Sequence, residues 1–469
     1  MSLTAALNTA VAGLTTIQSH TSIVSANIAN AQNADYTRKI VNLTTPTAGG
    51  QPQAALIASI VRAAAPELQR DIYNAAASHQ QLARAVDNAR TLAEALDATN
   101  ATGGQATLQS LLTNFENAWK QLEATPEDTA LKALVVQRGQ ELTAELHRLA
   151  GLRSNLEHNA QQRLQSDVAT LNEAARNVEA LNAKIISQKA AGMPTGDLED
   201  LRDAEAAKIA GLVGIRTMVD DTGRMSIYTD TGTQIVGVSA QRFSYDPASG
   251  RISTAGGLDV TAGFRTGSIR AELNYLDGSA AALTSSDANR GTLAKFFNQI
   301  DSLAVNVANV VNAAYDDPDT AEAEQFFTFD PANPSGSIVV NAALAAAPAN
   351  LDAARAGAVQ QAMRNTTLTA AEINPAGDPN GLHISNVNIF GLTSGILSYH
   401  SRITRENEDN RDTAESLRYA LDQKYRNLTG VNVDNELADL QVLQSNYAAL
   451  AQVMSAITEM FDQMINIGR

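Results

Sequence analysis

From Leu440 onward the apolar residues Leu440, Leu443, Tyr447, Leu450, Met454, Ile457, Phe461 and Met464 recur at steps of 3, 4, 3, 4, 3, 4 and 3. That spacing draws one continuous stripe along an α-helix, the seam of a coiled coil. No proline or glycine interrupts it before Gly468. Asp434 precedes the seam and Glu436 falls in the first turn, where negative charge suits a helix N-terminus. A chain closing on such a stripe must bury it against another helix, and this limits the architectures open to the rest.

The first thirty residues supply a matching stripe. Leu3, Leu7, Ala10, Leu14, Ile17, Thr21, Val24 and Ile28 step 4, 3, 4, 3, 4, 3 and 4, a softer seam because Ala10 and Thr21 sit on it. A lone helix with one apolar stripe is marginal in water. Two arrangements follow: the terminal helices pair with each other in a stable fold, or they stay loose in the free chain and order when a partner surface arrives. We expect the second, which strong amide protection of both termini in a dilute monomer would contradict.

Between the two seams lies an insert long enough for two to four domains in a chain of 469 residues. Hydrophobic residues make up 44% of the chain but aromatics only 4%, so much of the apolar content is Ala, which suits closely packed helices. The net charge of −16 argues against a general nucleic-acid or anionic-membrane binder. With no cysteine, disulfides, thiolate nucleophiles and thiolate metal sites are excluded. No charged segment followed by an apolar core marks a secretory signal, and no apolar run reaches a membrane span. The expectation is a cytoplasmic protein, or one exported without a cleaved signal.

In chain order, the Asn- and Asp-rich stretch 27–35 reads as a helix end and turn. Strands over 38–45 and 53–62 form a hairpin around the loop Pro46–Pro52. Helices follow from Pro66 to about Asn100, ended by Thr102-Gly103-Gly104, and around Leu108–Leu122. Thr125-Pro126-Glu127-Asp128 starts a long helical stretch to Ala191, in which Gly151 is a candidate break. A helix over 198–213 precedes a change to alternating periodicity, with strands at 215–219, 225–229 and 233–238 and a hairpin at 243–252. Helices at 268–276 and 287–315 come next. Residues 317–390 read as an irregular lobe, or as an extension of the β domain, with strands at 326–329, 337–341 and 383–390. Helix returns over 392–428.

The fold class is therefore mainly α with a β-rich insert: terminal coiled-coil helices, a long-helix bundle domain and small β domains. The expected division is an axial part (1–62 plus 429–469), a helical domain (63–213 plus 268–316 plus 392–428) and a β-rich outer domain (214–267 plus 317–391).

Catalytic chemistry finds no footing. Two Asp-Thr-Gly triplets begin at Asp221 and Asp230, and an aspartic protease needs two such carboxylates sharing a proton. A spacing of nine residues in successive tight turns cannot bring them face to face, and Asp, Thr and Gly are ordinary turn residues. The histidines His20, His79, His147, His158, His383 and His400 form no metal-binding motif, although His147 and His158 are spaced to share a helix face. Gly263 and Gly267 near Arg265 lack the Lys-Ser/Thr of a phosphate loop. The charged run Arg405–Asp412 reads as a solvated helix face.

The segment Ala26-Asn27-Ile28-Ala29-Asn30, followed by Tyr36-Thr37-Arg38, resembles the N-terminal signature of the flagellar axial proteins of rod, hook and hook-associated type. The stretch Gly430-Val431-Asn432-Val433-Asp434, with Glu436, Leu440, Gln444 and Tyr447-Ala448, is similar to their C-terminal signature. Gly196-Asp197-Leu198-Glu199-Asp200-Leu201-Arg202-Asp203, Leu212–Ile215 and Gly267–Leu273 are similar to internal motifs of the hook-associated members at the hook–filament junction. The chain departs from the pattern at Ala26, where Asn is usual, and at Asp35, where Gly is usual; Asp tolerates a left-handed backbone, so the turn can survive. The chain is short for the family, so an outer variable domain is expected to be reduced or missing.

The resemblance implies a non-enzymatic structural adaptor without cofactors, exported through the flagellar type III apparatus without a cleaved signal. It implies an extracellular ring of about eleven subunits at the end of the hook. The implied neighbours are the hook protein below and hook-associated protein 3 above, with an export chaperone as an earlier partner and no nucleic acid or membrane. The residues expected at the assembly interface are Leu3, Leu7, Leu14, Ile17, Val24, Asn27, Ile28, Asn30 and Tyr36 from the N-terminal side. From the C-terminal side they are Leu440, Leu443, Tyr447, Leu450, Met454, Ile457, Phe461 and Met464. Two rival readings stay open: another axial protein such as the hook subunit, which would polymerise into long tubes by itself, and a coiled-coil surface adhesin. The adhesin would need an aromatic-rich patch on the β lobe, and the aromatics between 228 and 329 are scattered.

Overall fold

The computed structural model describes residues 3–45, 47–48, 51–52, 54–97, 107–317, 324–375 and 379–467. Thr102-Gly103-Gly104 and Gly468 lie outside the described residues.

The order of elements is nested. Helix α1 (Leu3–Ala29) leads into a hairpin of β1 (Lys39–Thr44) and β4 (Leu56–Arg62), whose tip carries the short strands β2 (Thr47–Ala48) and β3 (Gln51–Pro52). β1 and β4 pair antiparallel from Lys39 opposite Arg62 to Thr44 opposite Leu56, with a bulge between Asn42 and Leu43. Then come α2 (Pro66–Asp97), α3 (Leu108–Ala124), α4 (Thr129–Ala190) and α5 (Gly196–Leu212). The three-stranded sheet β5 (Ile215–Val219), β6 (Met225–Thr229) and β7 (Gln234–Val236) follows, with the hairpin β8 (Phe243–Asp246) and β9 (Arg251–Thr254). After α6 (Gly267–Leu276), α7 (Ala280–Leu283) and α8 (Thr292–Tyr315), a run of short pieces comprises β10 (Phe327–Thr328), α9 (Pro334–Ser337), β11 (Val339–Val340), α10 (Ala342–Ala346), α11 (Ala356–Asn365) and α12 (Ala370–Ile373). The chain closes with α13 (Ile389–Thr429) and α14 (Val433–Ile467).

The scaffold is α4, 62 residues in one helix and about 93 Å long at 1.5 Å per residue. Asp128 caps it by accepting hydrogen bonds from the amides of Ala130 and Leu131. Gly151 does not divide it. Nothing lies within 4 Å of a Cβ placed there, and a single exposed glycine costs only about 1 kcal/mol of helix propensity.

Two apolar cores form along α4. The larger packs its first half, Val135 to Ala160, against α3, α8 and the segment Phe326–Ile396. Its centre is aromatic: Phe115, Trp119, Tyr315, Phe326 and Phe327 lie with ring centroids 4.8–6.0 Å apart. The smaller packs Leu164–Val178 of α4 with α5, the β5–β9 strands and Ile269. There Asn172 and Asn182 each exchange a pair of hydrogen bonds with a backbone, that of Phe243 and that of Met225 respectively, at 2.8–2.9 Å. Two side-chain amides thus tie the sheets to the rod.

The sequence reading places 317–391 with the β domain. The structure differs: this segment contributes to the larger core with α3 and α8, whereas residues 215–269 belong to the smaller one. The strand expected over 383–390 is absent. Leu368 and Val387 make one isolated bridge, and Asn388 then caps α13 by accepting from the Gly391 amide at 2.9 Å. Both Asp-Thr-Gly triplets are turns at opposite ends of β6, with Gly223 and Gly232 at φ +91° and +93°. Asp35 is not left-handed; the positive-φ non-glycine residue among the described ones is Asn386.

Candidate functional site: the joint of the terminal helices

The terminal helices meet. α14 packs along α1, and α1 also touches β1 and β4. The pair runs antiparallel, with Asn27 beside Glu436 at one end and Leu450 against Gly13 further along. The heptad positions face inward but are only partly covered. Ala10, Val24, Leu443 and Ile457 are buried; Leu3, Leu7, Leu14, Ile17, Thr21, Ile28, Leu440, Leu450, Met454 and Phe461 are half-buried. Tyr447 and Met464, expected on the seam, remain 43% and 63% exposed. A two-helix pair has no third surface to cover the flanks of its seam.

At the root of the pair the motif residues form a polar joint. Asn27, 1% exposed, uses all its hydrogen-bonding capacity. Its Nδ2 donates to the Lys39 carbonyl at 3.0 Å and to Glu436 Oε2 at 2.9 Å. Its Oδ1 accepts from the Lys39 amide and the Tyr36 hydroxyl, both at 2.9 Å. Arg38 closes on Glu436 at 2.5 Å, and its backbone amide donates to the Thr429 carbonyl at 2.8 Å. Asn30 caps the end of α1 by donating to the Ala26 carbonyl at 2.9 Å. The first and last parts of the chain are thereby stitched together where α1 ends and α14 begins. Burial, then the charges of Asp197, Asp200 and Glu436, pushes the Tyr36 hydroxyl up to about 12, so it stays a neutral donor.

A second ring of charges ties this root to α5. Asp200 accepts from the Thr37 amide at 3.1 Å, the Thr37 hydroxyl at 2.6 Å and Arg62 at 3.0 Å, and it pairs with the buried Lys39 ammonium. Arg62 reaches Glu199 at 2.8 Å and Asp203 at 2.6 Å as well. Burial opposes the Arg62 charge, but Asp203 and Asp200 outweigh it and raise its pKa above the ordinary arginine value. Buried ions are tolerated only with partners of this number and geometry.

Sequence reasoning finds Asn27, Asn30 and Tyr36 here, and it notices Glu436 as a helix-terminus charge and as part of the C-terminal signature, but not as a partner of Asn27 and Arg38. It misses Lys39, Arg62 and Asp200 as joint residues. Their available signal is position: Lys39 opens the first strand of the hairpin and Arg62 closes the second, which pairs them at its open end, and Asp200 lies inside the acidic run Asp197–Asp203.

Residues 93–318 match the family model described as the flagellar hook-associated protein FlgK helical domain. Over 511 aligned positions, covering 98% of this chain and 97% of the other, the chain is 22% identical to flagellar hook-associated protein 1 of Bacillus subtilis strain 168. It is also similar to the flagellar hook junction protein FlgK of Burkholderia pseudomallei, with a TM-score of 0.43 and 18% identity over 56% of this chain and 47% of that one. The chain thus aligns with less than half of that solved structure.

With paired terminal helices around a long helical insert, a helical-domain match over residues 93–318 and a similarity that runs the whole length of the chain, this chain resembles the flagellar hook-associated proteins, and among them hook-associated protein 1.

Proposed function

We propose that this chain is the structural adaptor joining hook to filament in the bacterial flagellum. The observation that carries the reading is the terminal helix pair: it is stitched at its root by Asn27, Arg38 and Glu436, yet its seam is left partly open along its length. Such a surface gains a complete core only from neighbouring subunits. The axial part is then 1–62 with 429–469, and its seam residues form the contacts between subunits.

The finer reading is a ring of about eleven copies at the distal end of the hook. The hook protein is its neighbour below and hook-associated protein 3 its neighbour above, and a chaperone accompanies it to export. The chain acts outside the cell, reaches that place without a cleaved signal, and catalyses nothing. The test is deletion in the organism of origin, followed by electron microscopy of the flagella and assay of the medium for filament protein. Hooks without filaments, with filament protein shed unpolymerised, are expected; normal filaments would overturn the reading.

A further inference from the structure

The link between the terminal helix pair and the body differs from the other interfaces of the fold. The main packing of α14 is on α1, and α1 is otherwise covered by β1 and β4. The pair therefore meets the body through the hairpin, and the hairpin meets α5 through ions: Lys39 with Asp197 and Asp200, and Arg62 with Glu199, Asp200 and Asp203. Two cavities flank this contact. One, of about 370 Å³, lies between α1, the hairpin and the start of α5; the other, of about 450 Å³, lies between the hairpin, α2, α5 and α13. Asp35, Asp200 and Ala204 line both, so the Asp200 carboxylate stands on the wall between them. A close-packed interface holds an angle because any rotation opens voids or clashes. Here the voids already exist, and the angle rests on directional charge-assisted hydrogen bonds.

We propose that the Lys39–Asp200–Arg62 cluster is an electrostatic lock on a hinge, fixing the angle at which the terminal helix pair leaves the body. Asp200 is its positioning residue. The hinge strands are the two chain crossings into the body, residues 63–65 and 429–432, and the cavities are the space into which the root swings when the lock opens. This inference does not depend on the flagellar reading, since it concerns one chain in solution. For an adaptor between two tubes it would supply a joint that can settle at a second angle without unfolding.

The chain has no cysteine, so introduced cysteines take spin labels cleanly. Ser445→Cys with Glu173→Cys, exposed sites on α14 and α4, measures the angle. Gln18→Cys with Ser445→Cys spans the terminal pair itself as a control. Electron–electron resonance on the full chain should give one narrow distance for the first pair. Asp200→Asn should broaden it at least twofold while leaving the control pair unchanged, and Asp200→Glu should restore most of the narrowness. The double change Lys39→Gln with Asp200→Asn, which leaves no new unpaired charge from this bond, should broaden it as well, with circular dichroism confirming a folded body. Three outcomes would overturn the proposal: an unchanged distribution in the variants, a wild-type distribution already broad, or equal broadening of the control pair.

Discussion

Helices α8 and α1 are nearly the same length and are held in opposite ways. Of the 24 residues of α8, 16 are buried; of the 27 of α1, the buried ones are Ala10, Thr16, Val24 and Asn27. α8 is covered on several sides by α4, α9, α11, α13 and the aromatic cluster, and burial of apolar area stabilises it. α1 has one helical partner and a polar root, where specific hydrogen bonds fix register but contribute modestly to stability. The same chain thus contains a dry region built to stay folded alone and a half-open region built to be completed by something else.

The comparison breaks first at the aromatic centre. Trp119→Ala should cost about 3–5 kcal/mol in denaturant unfolding followed by circular dichroism, because it removes a fully buried ring from a close-packed cluster. A cost below about 1 kcal/mol would mean that the larger core is not the stable region.

Acid should also weaken the body. His400 is buried against Phe296, bonded to Gln299 at 2.8 Å, and burial pushes its pKa down to about 3. The unfolded chain takes up a proton near pH 6.5 that the folded chain refuses. The stability is therefore intact above pH 6.5 and lost as pH falls toward 3, by about 1.4 kcal/mol per unit from this group. Denaturant titrations of wild type and His400→Asn across that window should converge as pH falls; parallel lines would contradict the assignment.

Smaller and more local is Glu436→Ala, which strips Arg38 and Asn27 of a buried partner at an expected cost of about 1–3 kcal/mol. Hydrogen exchange should rise in the first turns of α14 while α8 is unaffected; equal rises in both would show that the two regions are not separable. Smallest for the free chain is Leu450→Asp, at a half-buried position opposite Gly13. The body should unfold at the wild-type denaturant midpoint, yet the variant should fail to restore filaments when it replaces the wild-type gene. Normal filaments would count against the seam as the assembly surface.

Much of the half-open region was legible because its signal is periodic and local. A run of 3- and 4-residue steps specifies a stripe whatever covers it, and the motif from Asn27 to Arg38 lies within a dozen residues. The dry region was legible as helices but not as a packing arrangement. Gly151 looks like a break because propensity is a local quantity, whereas α4 is held by two cores along its length. Residues 383–390 read as a strand because Ile384, Val387 and Ile389 are β-branched; the Asn388 cap and the burial of Ile389 and Leu392 settle the region as a helix start instead. The joint was the least visible part. Asp200 is 161 positions from Lys39 and 138 from Arg62, and in sequence each reads as a solvated charge. No periodicity connects groups that meet only when the chain closes on itself.

Hydrogen exchange on the dilute monomer tests the division most directly. Strong protection is expected across α3, the first half of α4 and α8, and exchange faster by orders of magnitude along α1 and α14 beyond their stitched root. Protection of α1 and α14 equal to that of α8 would contradict it, and would make the terminal pair a finished part of the fold rather than a surface awaiting neighbours.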